Sequence, residues 1–267
     1  MHELPLFDSL QHPLPNPEWF DDRFANRQRL DGILAERIDA GVQQSLAVGM
    51  GPQLGGYDDR TYADWVRRSI PGAVPVAWCS PNDLQPGSFS TEMARLRKLG
   101  YAGIKLHPRL AGFCYDDTRM PDLIRAAADH RLVTLLCTYS AGARTDAHRM
   151  SFDALCGLLA GIDQSPLILL HGGLTRALEL SEILRNCKNV LLDLSFTMVR
   201  YAGSSLDMDL RFLMQSFDQR LCVGSDHPQY SLADFRNRFD ALSQGLDLSK
   251  RKNVAFANLQ QLFGGGD

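Results

Sequence analysis

The sequence predicts a single α/β domain folded as a (β/α)8 TIM barrel, and three observations carry that prediction. Eight short apolar runs recur along the chain. Segments with apolar residues at spacings of three and four lie between them, and 267 residues is a length that eight such units fill. Strands covered by helices and joined by crossovers run parallel, which leaves a closed barrel or, as the rival, an open doubly wound sheet. The barrel is the expectation, spanning residues 1–267 without a linker or a second domain.

In chain order the strand candidates are LPLFDSL from Leu4, VQQSLAV (Val42 to Val48), VPVAWC (Val74 to Cys79) and AGIKLH (Ala102 to His107). LVTLLC (Leu132 to Cys137), PLILLH (Pro166 to His171), NVLLDL (Asn189 to Leu194) and RLCVGSD (Arg220 to Asp226) follow. Most read as nearly continuous apolar strands, the signature of a sheet buried on both faces. Helical stripes appear at Leu30, Ile33, Leu34 and Ile38, at Tyr62, Trp65 and Val66, at Phe152, Leu155 and Leu159, and at Leu210, Leu213 and Phe217. NRFDALSQGL and NVAFANLQQLF supply the closing helices.

Composition narrows the function. A net charge of −3, with no basic cluster longer than Lys250 to Lys252, gives no footprint for nucleic acid or an anionic membrane. No apolar run approaches the roughly 18 to 20 residues that span a bilayer, and MHELPLF has neither a basic n-region nor an h-region, so the expectation is a cytoplasmic protein. Six cysteines without CxxC spacing read as reduced, largely buried thiols. A small molecule is the expected partner, and homo-oligomerisation stays open.

In a TIM barrel, function sits at the C-terminal ends of the strands. Chemically capable residues collect there: Asp8 and His12; Lys105, His107 and Arg109; Cys137 and Tyr139; His171, Asp193 and Ser195; Asp226 and His227. In GIKLHPR, Lys105 and His107 are two apart, so both point into the barrel while Leu106 faces the helices. A lysine inside an apolar strand is costly unless it meets a carboxylate or a substrate anion. In LILLHGG the glycines after His171 permit a sharp turn and a close backbone approach to a ligand. Asp226, in CVGSDHP, ends its strand near several cations and should be ionised, as an acceptor, a ligand or a base; Ser231 is the better N-cap for the helix that follows. Arg109, Arg144, Arg149 and Arg200 fall in loops on the same side and as a group point to an anionic substrate. In FDSLQHP, Asp8, Leu10 and His12 lie at spacings of two and, on a regular strand, leave one face.

The ordered series FDSLQHP, GIKLHPR, LVTLLCTY, LILLHGG, NVLLDLSF, LCVGSDHP and NVAFANLQQLFG resembles the amidohydrolase-2 family, the predicted metal-dependent hydrolases of TIM-barrel fold. The resemblance covers nearly the whole chain. It implies metal ligands at an H-x-H pair after the first strand, a histidine after the fifth and an aspartate after the eighth, with a sixth-strand histidine nearby. Those positions hold Leu10 and His12, Cys137, Asp226 and His171 in this sequence. Leucine has no lone pair, so the metal site looks degenerate; His12, Cys137 and Asp226 could still form a weak zinc or manganese site. The resemblance extends at one remove to metal-independent lactone-hydrolysing barrels, in which the last-strand aspartate is the general base. The leading expectation is therefore a hydrolase of a small anionic carbonyl compound without a tightly bound metal. Asp226, His171, Lys105 and His107 would be catalytic, and His12, Arg109, Tyr139, Arg144 and Arg200 would hold substrate. The alternatives are a weak zinc- or manganese-dependent hydrolase or decarboxylase and a catalytically silent ligand-binding barrel.

Overall fold

A computed structural model describes residues 4–16, 24, 27, 29–51, 57–85, 87–139, 147–162 and 164–264. Among them, eight parallel strands pair in chain order: β1 (Leu6–Gln11), β2 (Val42–Val48), β3 (Ala73–Cys79), β4 (Gly103–Leu106), β5 (Val133–Cys137), β6 (Leu167–Leu170), β7 (Val190–Asp193) and β8 (Leu221–Cys222). The expected runs match these strands to within a few residues. The last is the exception, because its residues after Cys222 leave regular pairing to close the barrel against β1. That seam is made by Ser9 N–H donating to Val223 O (3.0 Å), Asp226 N–H to Leu10 O (3.0 Å) and His12 N–H to His227 O (2.9 Å). The predicted barrel is the observed fold.

Helices α1 (Leu30–Asp39), α2 (Asp59–Ser69) and α3 (Phe89–Lys98) follow the first three strands. A short α4 (Pro108–Ala111) and α5 (Met120–Asp129) follow β4, and α6 (Phe152–Ala160) and α7 (Ala177–Asn186) follow β5 and β6. Next come α8 (Thr197–Arg200) and α9 (Leu206–Ser216), then α10 (Leu232–Ser243), α11 (Leu248–Lys252) and α12 (Asn258–Phe263). Ser231 caps α10 in a reciprocal box with Asp234, so Asp226 is free of that task. His130 sits at the C-cap of α5. None of these helices is long and apolar enough to cross a membrane.

Two apolar layers result. Phe7, Leu10, Leu46, Val48, Leu135 and Ile168 fill the barrel interior, and a larger layer packs the strands' outer faces against the helices. Leu106 belongs to the outer layer, as strand parity predicts. All six cysteines are free thiols, four buried and Cys156 and Cys187 half-buried.

β1 corrects the reading of FDSLQHP. Its register shifts between Asp8 and Gln11, so the period of two fails there. The Leu10 amide donates to the Asp8 carboxylate (3.0 Å), which also accepts from the Ser225 amide (2.9 Å), the Ser225 hydroxyl (2.6 Å) and Gln11 Nε2 (2.8 Å). Gln11 in turn accepts from Arg37 of α1 (3.2 Å). Asp8 therefore ties backbone at the seam, Leu10 is buried in the interior layer, and only His12 reaches the mouth.

Candidate active site at the C-terminal mouth

A cavity of about 340 Å³ opens at the C-terminal end of the barrel, lined by His12, Lys105, His107, Arg109, Tyr139, His171, Arg200 and Asp226. Met50, Leu110, Phe196 and Gln229 complete it. A larger cavity of about 780 Å³ lies at the opposite end, beside Lys188, Asn189, Gln219 and Asn258. Amides dominate its polar lining, whereas opposed titratable groups converge at the mouth, so the chemistry belongs there.

Each polar side chain is delivered by a strand end. β4 places Lys105 and His107 two residues apart and inward, both buried. His12 follows β1 and holds its Nδ1 at 2.8 Å from Val48 O. A carbonyl only accepts, so Nδ1 carries the proton and the bare Nε2 accepts from Lys105 Nζ at 3.1 Å. Asp226 Oδ1 lies 3.6 Å from the same Nε2, which places the ammonium, the imidazole and the carboxylate around one point. His107 has the opposite tautomer: its Nδ1 accepts from the Leu110 amide (3.3 Å), leaving Nε2–H to donate to Cys137 Sγ (3.6 Å).

Burial disfavours charge throughout this site. It pushes the His12, His107 and His171 imidazoles down, with His171 at about 4, so all three are neutral at pH 7. Burial also lowers Lys105, although Cys137, Asp226 and Asp193 oppose it. Burial alone would raise Asp226, but its polar surroundings, the His12 and His171 imidazoles and the Lys105 ammonium, outweigh that and hold it below the usual carboxylate range. Asp226 is therefore an ionised carboxylate among neutral imidazoles and cations.

The cationic rim is built on aromatic rings. The Arg109 guanidinium lies 4.8 Å from the Tyr139 ring centre, and that of Arg200 lies 5.3 Å from the Phe196 ring, with a further bond to Tyr230. Phe196 packs edge-on against Tyr139, His171 and Tyr230. Its backbone has φ 62° and ψ −58°, and His171 and Asp226 also have positive φ. Such conformations cost roughly 1–3 kcal/mol each and concentrate where geometry serves function.

Several expectations need correction. Cys137 and Leu10 do not line the cavity; both are buried, and burial pushes the Cys137 thiol up, away from the thiolate a metal needs. Lys105 donates to the lone pair of His12 that a metal would take. Among the described residues no three His, Cys, Asp or Glu side chains are grouped to hold an ion. Arg149 pairs with Asp116 at 2.9 Å on the surface. Arg144 lies outside the described residues. Gly172 and Gly173 do adopt positive φ, but the Gly173 amide donates to Thr138 Oγ1 (2.9 Å) and is not offered to a ligand. Phe196, Met50, Leu110 and Gln229 escaped the sequence reading, since Leu110 lies in the short α4 and the other three in loops. The one available signal was the aromatic residue two after Ser195's neighbour Leu194 in DLSF, whose inward direction depends on a turn.

No family model matches the sequence, and no curated protein matches it. Solved structures do share the fold. An uncharacterised TIM-barrel protein from Bordetella bronchiseptica superposes with a TM-score of 0.83 at 17% identity, covering 98% of this chain and 99% of that one. A probable 2-pyrone-4,6-dicarboxylic acid hydrolase from Acinetobacter baumannii, with citric acid bound, gives 0.68 at 14% identity and 98% and 100% coverage. A dihydroxybenzoic acid decarboxylase from a Polaromonas species, with bound manganese and the inhibitor 2-nitroresorcinol, gives 0.69 at 12% identity and 98% and 97% coverage. At these identities the likeness establishes the TIM-barrel fold. Neighbours with described activities include a probable hydrolase and several decarboxylases.

Proposed function

We propose that the chain is a hydrolase of a small anionic carbonyl compound of lactone type, with Asp226 as general base and no step that requires a metal. The observation that carries this reading is the ionised Asp226 facing a cavity whose other charged groups, Lys105, Arg109 and Arg200, are all cations. Arg109 and Arg200 bind the substrate's carboxylate, and the aromatic rings beneath them keep the guanidiniums in place. Water enters between Asp226 and the carbonyl carbon. As its oxygen bonds to that carbon, its proton passes to Asp226 and the carbonyl π electrons move onto oxygen, where Lys105 meets the developing negative charge. Collapse breaks the C–O bond, and the proton on Asp226 goes to the leaving oxygen.

A carboxylate held below its usual pKa is a weak base. An arriving anionic substrate changes that, because it neutralises the cations that depress Asp226 and excludes water, so burial pushes the carboxylate up as the complex forms. The fully bound site is thus more basic than the empty one.

Decarboxylation is the second reading, favoured by the decarboxylases among the structural neighbours. It would use the His107 Nε2–H or Lys105 as proton donor to the carbon that loses carbon dioxide. Assay of chelator-treated protein on carboxylated lactones beside hydroxylated aromatic carboxylates separates the two. Ring opening without gas release supports hydrolysis, and carbon dioxide release supports the second reading. Loss of all lactone turnover on chelation, restored by zinc or manganese, would reject the metal-independent mechanism.

A further inference from the structure

His171 is held from behind by groups that never touch the cavity. Ser195 Oγ lies 3.3 Å from His171 Nδ1 and also bonds the Asp193 carboxylate. Asp193 is fully buried and surrounded by donors. Its Oδ1 accepts from the Ser9 hydroxyl (2.5 Å) and the Ser195 amide (3.0 Å), and its Oδ2 accepts from the His171 amide (3.1 Å) and the Ser195 hydroxyl. Burial raises Asp193, and the four donors oppose it; with all of them directed at its two oxygens, the carboxylate is placed to accept, not to give.

Hydrogen-bond accounting then runs in one direction. Ser195 has a single hydroxyl proton, and Asp193 takes it, so toward His171 the Ser195 oxygen can only accept. His171 must supply the proton from Nδ1, which strips Nε2 and leaves it as a bare acceptor on the side of the ring that lines the cavity. The ring cannot easily swivel: Phe196 sits edge-on at 5.7 Å, and Thr197 Oγ1 donates to the His171 carbonyl at 2.6 Å.

We infer that Asp193 and Ser195 are positioning residues that fix His171 as its Nδ1–H tautomer, so that Nε2 presents a lone pair to whatever occupies the cavity beside Asp226. This assignment does not depend on which bond the enzyme breaks. Together with His12, whose Nε2 is also bare, and His107, whose Nε2 proton goes to Cys137, it fixes the tautomers of the three imidazoles that line the mouth.

Long-range nitrogen–proton NMR on histidine-labelled protein at pH 7 reads each tautomer directly. Wild type should show His171 protonated at Nδ1. In Ser195→Ala the acceptor is gone while Asp193 keeps three donors, and His171 should shift to a mixture or to the Nε2–H form, with the melting temperature recording that the barrel stays folded. Wild-type His171 protonated at Nε2 would overturn the inference without any variant. So would a folded Ser195→Ala protein whose His171 remains wholly Nδ1–H.

Discussion

Asp8 and Asp226 are two carboxylates at one seam, a few residues apart in space, with opposite electrostatics. The Leu10 peptide joins them: its N–H donates to Asp8 and its carbonyl accepts from the Asp226 amide. Asp8 is fully buried, and although four hydrogen bonds oppose the desolvation, burial raises it to about 6. Asp226 feels the same penalty yet ends below its ordinary value, because the Lys105 ammonium and the His12 and His171 imidazoles surround it from the cavity side. Neutral donors make a carboxylate structural; cations around an opening make it reactive. Position along the sequence does not distinguish the two roles, and the company each side chain keeps does.

The largest expected break in this comparison is Asp226→Asn. An amide is nearly isosteric but cannot take a proton, so kcat on a lactone that the wild type opens should fall about 10² to 10⁴-fold while circular dichroism is unchanged. Asp8→Asn should leave kcat alone and alter stability instead. The folded-state pKa of Asp8 is raised, so its contribution is fully present below about 4 and is lost as pH rises through about 6. Two units correspond to about 3 kcal/mol. Urea unfolding at pH 4.5 and pH 7 should show wild type losing stability relative to Asp8→Asn on that order across the interval. Asp226 has the opposite sign, its contribution being present above the unfolded value near 4 and lost as pH falls through the lower folded one.

Leu10→His sharpens the comparison at the residue between the two carboxylates. Position 10 points into the apolar interior layer, so an imidazole there lacks partners and should cost about 2–4 kcal/mol in denaturant unfolding. Zinc titration of the variant should show no gain in affinity, since Lys105 still donates to His12. Lys105→Met comes last, at about 10- to 100-fold in kcat/KM. A fall in kcat would locate the ammonium at the developing oxyanion, and a rise in KM alone would make it a substrate anchor.

Much of this was legible in the sequence, for physical reasons that also mark where legibility ended. Apolar runs buried on both faces reveal parallel strands, and parity on a regular strand such as β4 sends Lys105 and His107 inward and Leu106 outward. Asp8 and Leu10 were misread because a shift in register cancels parity, and nothing in the apolar pattern of FDSLQHP marks the bulge. Phe196 was missed for a related reason: its place on the cavity wall is set by a positive-φ turn that alternation does not describe. The arginines expected in loops differed because such a charge can equally face solvent: Arg149 finds Asp116, while Arg109 in α4 and Arg200 in α8 find aromatic rings.

The central claim is that Asp226, not its neighbour at the seam, is the ionised carboxylate available for chemistry. Carbon-13 NMR titration of the aspartate carboxyl groups, assigned with the Asp8→Asn and Asp226→Asn proteins, tests it without a substrate. The account predicts that the Asp8 resonance titrates near pH 6 and that of Asp226 stays ionised to below pH 3.8. An Asp226 that protonates at or above the pH where Asp8 does would contradict it.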